Sequence, residues 1–265
     1  MTPWLETCRL CVVDIQAVLE RLPTRVEREP VVRRGEGGDD TTAIDQAAED
    51  AVVARLAELG EDFVLVSEEL GERAFGSGGP RRVVVDPIDG SVNAKRGIPF
   101  FSFSLAVADG PTMGDVTFGY VYDFGTGEEW TAEHSVGAFL NGEVLGPPRP
   151  KEAIEILSFE GTTTPAIAAR IEDVLGLAGR LRVMGSLALS LCHLDAGRVD
   201  AVCSLKPARS VDIAAAQLLV RERGLAIELF DDPPFTAGLL DLGQRSRVAA
   251  AGSEQRVAEL AAALR

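Results

Sequence analysis

VVVDPIDGSVN, Val83 to Asn93, reads as a strand that ends in acid. Three β-branched residues run into Asp86, Pro87 and Gly90 bracket a second carboxylate at Asp89, and Ser91 follows at once. β-Branched residues suit a pleated strand, whereas Pro and Gly interrupt one, so the segment predicts a strand closing on a tight polar turn. Two carboxylates three residues apart on such a turn can converge on one point, where their repulsion favours a cation between them. The same letters also describe an ordinary Asp-Pro and Asp-Gly turn, in which Asp and Gly serve backbone geometry alone. The flanking sequence has to separate the two.

Upstream, FVLVSEEL predicts a short buried strand from Phe63 to Val66 that ends in Ser67, Glu68 and Glu69, again placing acids after a strand end. The intervening GERAFGSGGPRR reads as a polar connection. Before it, TTAIDQAAEDAVVARLAEL carries Ala47, Ala48, Ala51, Val52, Leu56 and Leu59 at helical spacing, with Thr41 or Thr42 as the cap. Asp45 then sits in the first turn, where it either complements the helix dipole or aims at the hydroxyl of Ser91. VRRGEGGDD, Val32 to Asp40, predicts a mobile loop with Arg33 and Arg34 either reaching for phosphate or simply solvated. A first helix over residues 4 to 21, ending before Pro23, is structural.

Downstream, FFSFSLAVAD, DVTFGYVYD, EEWTA and VGAFLNGE read as successive strands of an antiparallel sheet covered by the two early helices, with Asn141-Gly142 marking a hairpin. GEVLGPPRPK, Gly142 to Lys151, has three prolines and no periodicity and marks a boundary between subdomains 1–145 and 146–265. Beyond it strand and helix alternate: IEILSF, then a helix over TPAIAARIEDVLGL, LRVMGS leading into the helix SLALSLCHLDAG, DAVCS, the helix VDIAAAQLLVRERG, LAIELF and a closing helix SEQRVAELAAAL. That alternation implies an α/β layer stacked on the first sheet.

Composition narrows the chemistry. The 265 residues, 46% hydrophobic, suffice for a large core. No apolar run approaches the roughly 20 residues that span a bilayer, and MTPWLETCRL lacks a basic segment followed by an apolar one, so the cytoplasm is the expected compartment. Cys8 and Cys11 form a C-x-x-C inside a helical segment and read as packing residues. His134 and His193 are too few and too separated for a histidine-rich site, which leaves oxygen ligands for any metal. A net charge of −15 repels nucleic acid and anionic membranes, and requires a local positive focus for an anionic substrate.

Glu68 and Asp86 follow strand ends, Asp89 lies in the turn, and Asp212 opens a helix beside Ala214, Ala215 and Ala216. TAID (Thr42 to Asp45), SEE (Ser67 to Glu69), DPIDGSVN (Asp86 to Asn93), Gly185-Ser186 and VDIAAA (Val211 to Ala216) together resemble the inositol monophosphatase family of metal-dependent phosphatases, almost end to end. The resemblance implies an α+β fold, a five-layer αβαβα sandwich of the sugar-phosphatase type, usually a homodimer. It implies two or three Mg²⁺ per active site, with Mn²⁺ as a substitute. Glu68, Asp86 and the Ile88 carbonyl would hold the first ion, Asp86, Asp89 and Asp212 the second, and Glu69 would be an outer ligand. Ser91, oriented by Asp45, would position the attacking water, and the amides of Gly90 and Ser91 would receive the phosphate.

Three departures from the family pattern bear on this. Ser91 replaces the commoner threonine and keeps the hydroxyl. Val211 replaces a tryptophan and leaves Asp212 in place. Leu205 stands where animal-type members carry an acid that grips sugar hydroxyls, and leucine accepts no hydrogen bond. Lys206 and Arg209 follow it instead, as in archaeal-type members that also hydrolyse fructose 1,6-bisphosphate. With Arg182, Gly185 and Ser186 they form the expected substrate-binding set, for a second phosphate in particular. The expected activity is hydrolysis of small sugar or polyol phosphates, above all fructose 1,6-bisphosphate and inositol 1-phosphate. The rivals are a 3′-phosphoadenosine-5′-phosphate phosphatase, which would need aromatic residues to stack a base, and a non-catalytic metal- or phosphate-binding regulator.

Overall fold

The computed structural model describes residues 3–149, 151–161, 163–230 and 234–265. Helix α1 (Pro3–Arg21) and a single turn, α2 (Arg25–Arg28), precede a hairpin of β1 (Val31–Arg34) and β2 (Asp40–Thr42) and then helix α3 (Ala43–Ala57). There follow β3 (Phe63–Ser67), β4 (Gly71–Phe75), β5 (Arg82–Asp89), a short α4 (Ser91–Arg96), β6 (Ser102–Ala108), β7 (Val116–Asp123), β8 (Glu129–Glu133), β9 (Gly137–Leu140) and β10 (Glu143–Val144). These eight strands form one sheet in the order β10-β9-β8-β7-β6-β5-β3-β4. The remainder comprises β11 (Ile154–Glu160), α5 (Thr164–Arg170), β12 (Ala178–Arg182), α6 (Leu187–Asp195), β13 (Ala201–Ser204), α7 (Ser210–Glu222), β14 (Ala226–Leu229), β15 (Val248–Ala251) and α8 (Glu254–Leu264). Its five strands are ordered β12-β11-β13-β15-β14.

Side-chain alternation along the strands builds the layers. Val83 and Val85 of β5 face α1 and α3, in a cluster with Ile15, Ile44, Val52 and Phe63. Val84, between them, faces the other way, toward Leu189 of α6 and Ala215 and Leu219 of α7. A strand buried on both faces reads as a continuous apolar run, which is why VVV shows no period. Val202 of β13 joins that same middle cluster, while Ala201 and Cys203 turn outward to Val257 and Leu260 of α8. The result is αβαβα: α1 and α3, the large sheet, α6 and α7, the small sheet, then α5 and α8. Cys8 and Cys11 are buried in the first of these layers.

Helix α7 is buried nearly all round, and it comes close to the large sheet where Ala215 meets Gly119 of the strand beneath. A Cβ at Gly119 would stand 2.6 Å from the Ala215 carbonyl oxygen.

The structure corrects several expectations. The large sheet is mixed, since β3 and β5 run parallel. The polar GERAF segment is the edge strand β4, paired antiparallel with β3, where exposed polar residues are at home. VRRGEGGDD is a hairpin rather than a loop, and Arg33 is occupied with Gln46 Oε1 and the Glu69 carbonyl rather than with phosphate. The helix expected over TPAIAARIEDVLGL stops at Arg170 and continues as a 3₁₀ turn, Glu172–Val174. RVAAAG contributes β15, antiparallel to both neighbours. Asn141 and Gly142 both adopt positive φ, 53° and 81°, as a two-residue hairpin requires. Within the proline-rich segment Gly142 to Lys151, Pro150 lies outside the described residues. Among the described residues no helix is long and apolar enough to cross a membrane.

Candidate active site

Four aspartates at one end of the large sheet share a device: each uses one carboxylate oxygen to hold the fold. Asp45 and Asp212 are the third residues of α3 and α7. Asp45 Oδ2 accepts from Thr42 N and Thr42 Oγ1, at 3.1 and 2.5 Å, and Asp212 Oδ2 accepts from Arg209 N at 2.7 Å. Both thereby satisfy amides that a helix start leaves open. Asp86 Oδ1 accepts from Ile88 N at 2.9 Å in the irregular end of β5, where pairing with β6 shifts register between Asp86 and Asp89. Asp89 Oδ2 accepts from Ser186 Oγ at 2.5 Å and Ala188 N at 2.8 Å, so it caps α6 from another element. The chain's turns and helix caps thus orient the acids; of the opposite oxygens, Asp212 Oδ1 accepts from Arg209 Nη2 at 3.3 Å, while Asp45 Oδ1 is buried without a partner.

Glu68, Asp86 and Asp212 each present one oxygen within 4.8 Å of the others. They line a cavity of about 590 Å³ together with Asp45, Glu69, Asp89, Ile88, Ser91 and Lys206. Burial pushes the Glu68 carboxyl up to about 8 and that of Asp89 up to about 7. Burial likewise lifts Asp86 well above the ordinary carboxylate range, with Glu68 and Asp89 adding to it. Burial also raises Glu69, whose Oε2 accepts from Thr41 Oγ1. A partly buried set of oxygen ligands under mutual repulsion suits a hard divalent cation.

The other sequence-derived residues divide. Ser91 starts α4 behind Gly90, which takes φ 94° as its N-cap. A Cβ on Gly90 would meet the Gly185 and Phe100 carbonyl oxygens at 3.1 and 3.2 Å. The Ser91 hydroxyl donates to the Ile88 carbonyl at 3.0 Å, not to Asp45, whose Oδ1 is buried without a partner. Gly185 lines the cavity and Ser186 lies behind Asp89. Arg209, expected as a free cation, is buried and paired with Glu68, with Asp212 at 3.3 Å and with Asp39 at 3.3 Å. Although burial opposes its charge, Asp212, Glu68 and Asp86 hold its guanidinium above its ordinary pKa. Lys206 is exposed and 3.5 Å from Asp39. Arg182, at the exposed end of β12, donates to the neighbouring Leu181 carbonyl and does not line the cavity.

Three side chains were missed in the sequence. Lys95 lines the cavity, and its place four residues after Ser91 on α4 was a legible signal, since such pairs share a helix face. Glu160 ends β11 before Gly161 as Glu68 follows β3. It accepts from Gly185 N at 2.9 Å, Met184 N at 3.2 Å and Ser190 Oγ at 2.9 Å, and so holds the Gly185 turn. Glu49, 1% exposed on α3, accepts from Ser67 Oγ and braces the residue before Glu68. Burial raises Glu49 to about 7. Its stabilising, protonated form is therefore lost as pH rises through 7, and Glu49→Gln, which keeps an acceptor for Ser67, should raise the melting temperature at pH 8. At pH 5 it should change little, and calorimetry at the two pH values would refute this if the shifts were equal.

Residues 5–265 match the model of the inositol monophosphatase family. The chain is 33% identical over 233 residues to the fructose-1,6-bisphosphatase/inositol-1-monophosphatase of Methanothermobacter thermautotrophicus, covering 84% of this chain and 82% of that one. It is 37% identical over 188 residues to the protein of the same name from Thermococcus kodakarensis, covering 71% and 68%. A crystal structure of an inositol monophosphatase-fructose 1,6 bisphosphatase superposes with a TM-score of 0.85 at 26% identity, over 99% of this chain and all of the other.

Proposed function

Because the chain belongs to the inositol monophosphatase family, we propose that it uses Mg²⁺ to hydrolyse fructose 1,6-bisphosphate at the 1-phosphate, with inositol 1-phosphate as a companion substrate. The activity class is that of a phosphoric monoester hydrolase acting on small phosphorylated sugars or polyols. The observation that carries the reading is the meeting of Glu68, Asp86 and Asp212 in one cavity that also holds Lys95 and Lys206.

The oxygens of buried Asp86 and half-buried Glu68 and Asp212 fit a divalent cation, with Asp89 and the Ile88 carbonyl beside them and Glu69 further out; we read the site as taking two or three Mg²⁺, or Mn²⁺ in their place. Such cations, when bound, lower the pKa of a coordinated water and neutralise charge on the phosphoryl and leaving oxygens. The protein's own groups do the rest. Asp45 Oδ1, a buried acceptor without a donor, can take a hydrogen bond from the attacking water, and the Ser91 hydroxyl, donating to Ile88, keeps its lone pairs for the same water's other proton. The amides of Gly90 and Ser91 begin α4 at the cavity wall, where they can receive a phosphate oxygen. Leu205 supplies no acceptor for sugar hydroxyls, so specificity falls to the cations. Lys206 and Lys95 are the groups for a second phosphate, and Arg209 joins them when its carboxylate partners are engaged by metal. A homodimer in the cytoplasm, with subdomains 1–145 and 146–265, completes the reading.

Phosphate release with Mg²⁺ from fructose 1,6-bisphosphate, inositol 1-phosphate and 3′-phosphoadenosine 5′-phosphate, side by side, tests it. The bisphosphate should be preferred, and Lys206→Ala should cost about tenfold in kcat/KM for it while changing the inositol phosphate less than about twofold, as expected for loss of one charge-assisted contact. Equal losses on both substrates, or a preference for the nucleotide, would overturn the assignment.

A further inference from the structure

A second cavity, of about 500 Å³, opens at the other ends of α6 and α7. Its wall includes Asp195, the last residue of α6, and Arg223, which caps the C-terminus of α7. Asp195 is completely buried and neither carboxylate oxygen has a hydrogen-bond partner. The Arg223 side chain is nine-tenths buried, its Nε also lacks a hydrogen-bond partner, and it stands 3.7 Å from Asp195 Oδ1, an ion pair without a hydrogen bond. Burial accordingly pushes the Asp195 carboxyl up to about 7, with Arg223 opposing. An acid at a helix C-terminus also opposes the helix dipole. Buried charges are normally paired through good hydrogen bonds, and groups left without them call for a water, an ion or a ligand.

The rest of the wall indicates which ligand. Four of the lining side chains are basic and three acidic; Lys151 and Arg256 are further paired with Glu155 and Glu259 beside the wall, so the positive charge without a hydrogen-bonded acid centres on Arg223. Ser253, the N-cap of the eleven-residue α8, lies in the wall, so the positive end of that helix opens onto the cavity beside Arg256. Guanidinium groups and a helix start together suit a phosphate. The idle acceptors of Asp195 call for hydrogen-bond donors, and the volume is that of a small-molecule site rather than of a bare ion. We propose that this cavity binds a small hydroxylated organic phosphate, its phosphate held by Arg223, Arg256 and the start of α8 and a hydroxyl donating to Asp195.

Calorimetric titration of the metal-free full-length protein in EDTA with glucose 6-phosphate, inorganic phosphate and glucose separates this site from the acidic one, and does not depend on hydrolysis. Glucose 6-phosphate should bind at least about tenfold more tightly than inorganic phosphate, and glucose should not bind measurably. Asp195→Asn combined with Arg223→Gln removes both buried charges together, so the fold is kept while affinity falls about tenfold or more. Lys206→Ala, in the other cavity, should leave binding unchanged. No binding of glucose 6-phosphate, equal binding of inorganic phosphate, wild-type affinity in the double variant, or loss of binding in Lys206→Ala would each overturn the proposal. Should the double variant fail to fold, Arg256→Gln carries the test, and unchanged affinity there overturns it.

Discussion

Asp89→Asn should lower turnover on the order of 10³-fold or more, the scale of losing a group that stabilises charge in the transition state, while leaving the fold intact. The two halves of this carboxylate explain both effects. Oδ2 accepts from Ser186 Oγ and Ala188 N, and the carbonyl oxygen of asparagine can accept both. The other oxygen becomes an NH₂ group, which neither ligates a cation nor carries charge. Phosphate release measured beside far-UV circular dichroism and melting temperature decides it. Full activity would remove Asp89 from the site, and a collapsed fold would show that its capping of α6 needs the charge. Asp89→Ala, which gives up both hydrogen bonds, should be the less stable variant.

Without metal, the protein should become less stable as pH rises from 5 to 8, and a saturating divalent cation should reverse the trend. Asp89 and Glu68 move from ordinary values of 3.8 and 4.5 to about 7 and about 8 on folding. Between those limits the folded chain holds more protons than the unfolded one. The stabilisation is full below about pH 4 and is lost as pH passes through 7 and 8. Bound cations favour the deprotonated acids, so they stabilise most where the metal-free protein is weakest. In EDTA the melting temperature should fall by roughly 5 °C or more across this range, and added Mg²⁺ at pH 8 should restore it. A flat profile in EDTA would mean that the acids are not held together in the absence of a cation.

The reading from sequence succeeded where local letters and tertiary role coincide. SEE announces acids just past a strand end and VDIAAA an acid at a helix start with small residues behind it, as the structure has them; DPIDGS does not end its strand before Asp86, since β5 continues with a register shift to Asp89. It failed where role depends on what lies opposite. GERAF is polar because β4 is an edge, and RVAAAG is bland because β15 is central and close to its neighbours. Lys206 and Arg209 look equivalent in SLKPARSVD, yet one is exposed and the other buried among carboxylates that come from Glu68 and Asp39, far away in the chain. Glu160 ends a strand as legibly as Glu68 does, but it serves the Gly185 turn from behind, and nothing in its neighbours tells the two uses apart.

The closeness of Gly119 to Ala215 has a consequence for positional tolerance. Metal ligands must be placed to within about 0.2 Å, and Asp212 stands less than one helical turn from Ala215. A helix resting on long side chains would ride up and down as those side chains changed rotamer. At Gly119 the seat is main chain against main chain, with no side chain between β7 and Ala215 to act as a spring, while Leu218 and Leu219 fill the surrounding core. The accuracy of the acid is inherited from two residues that have almost no side chain.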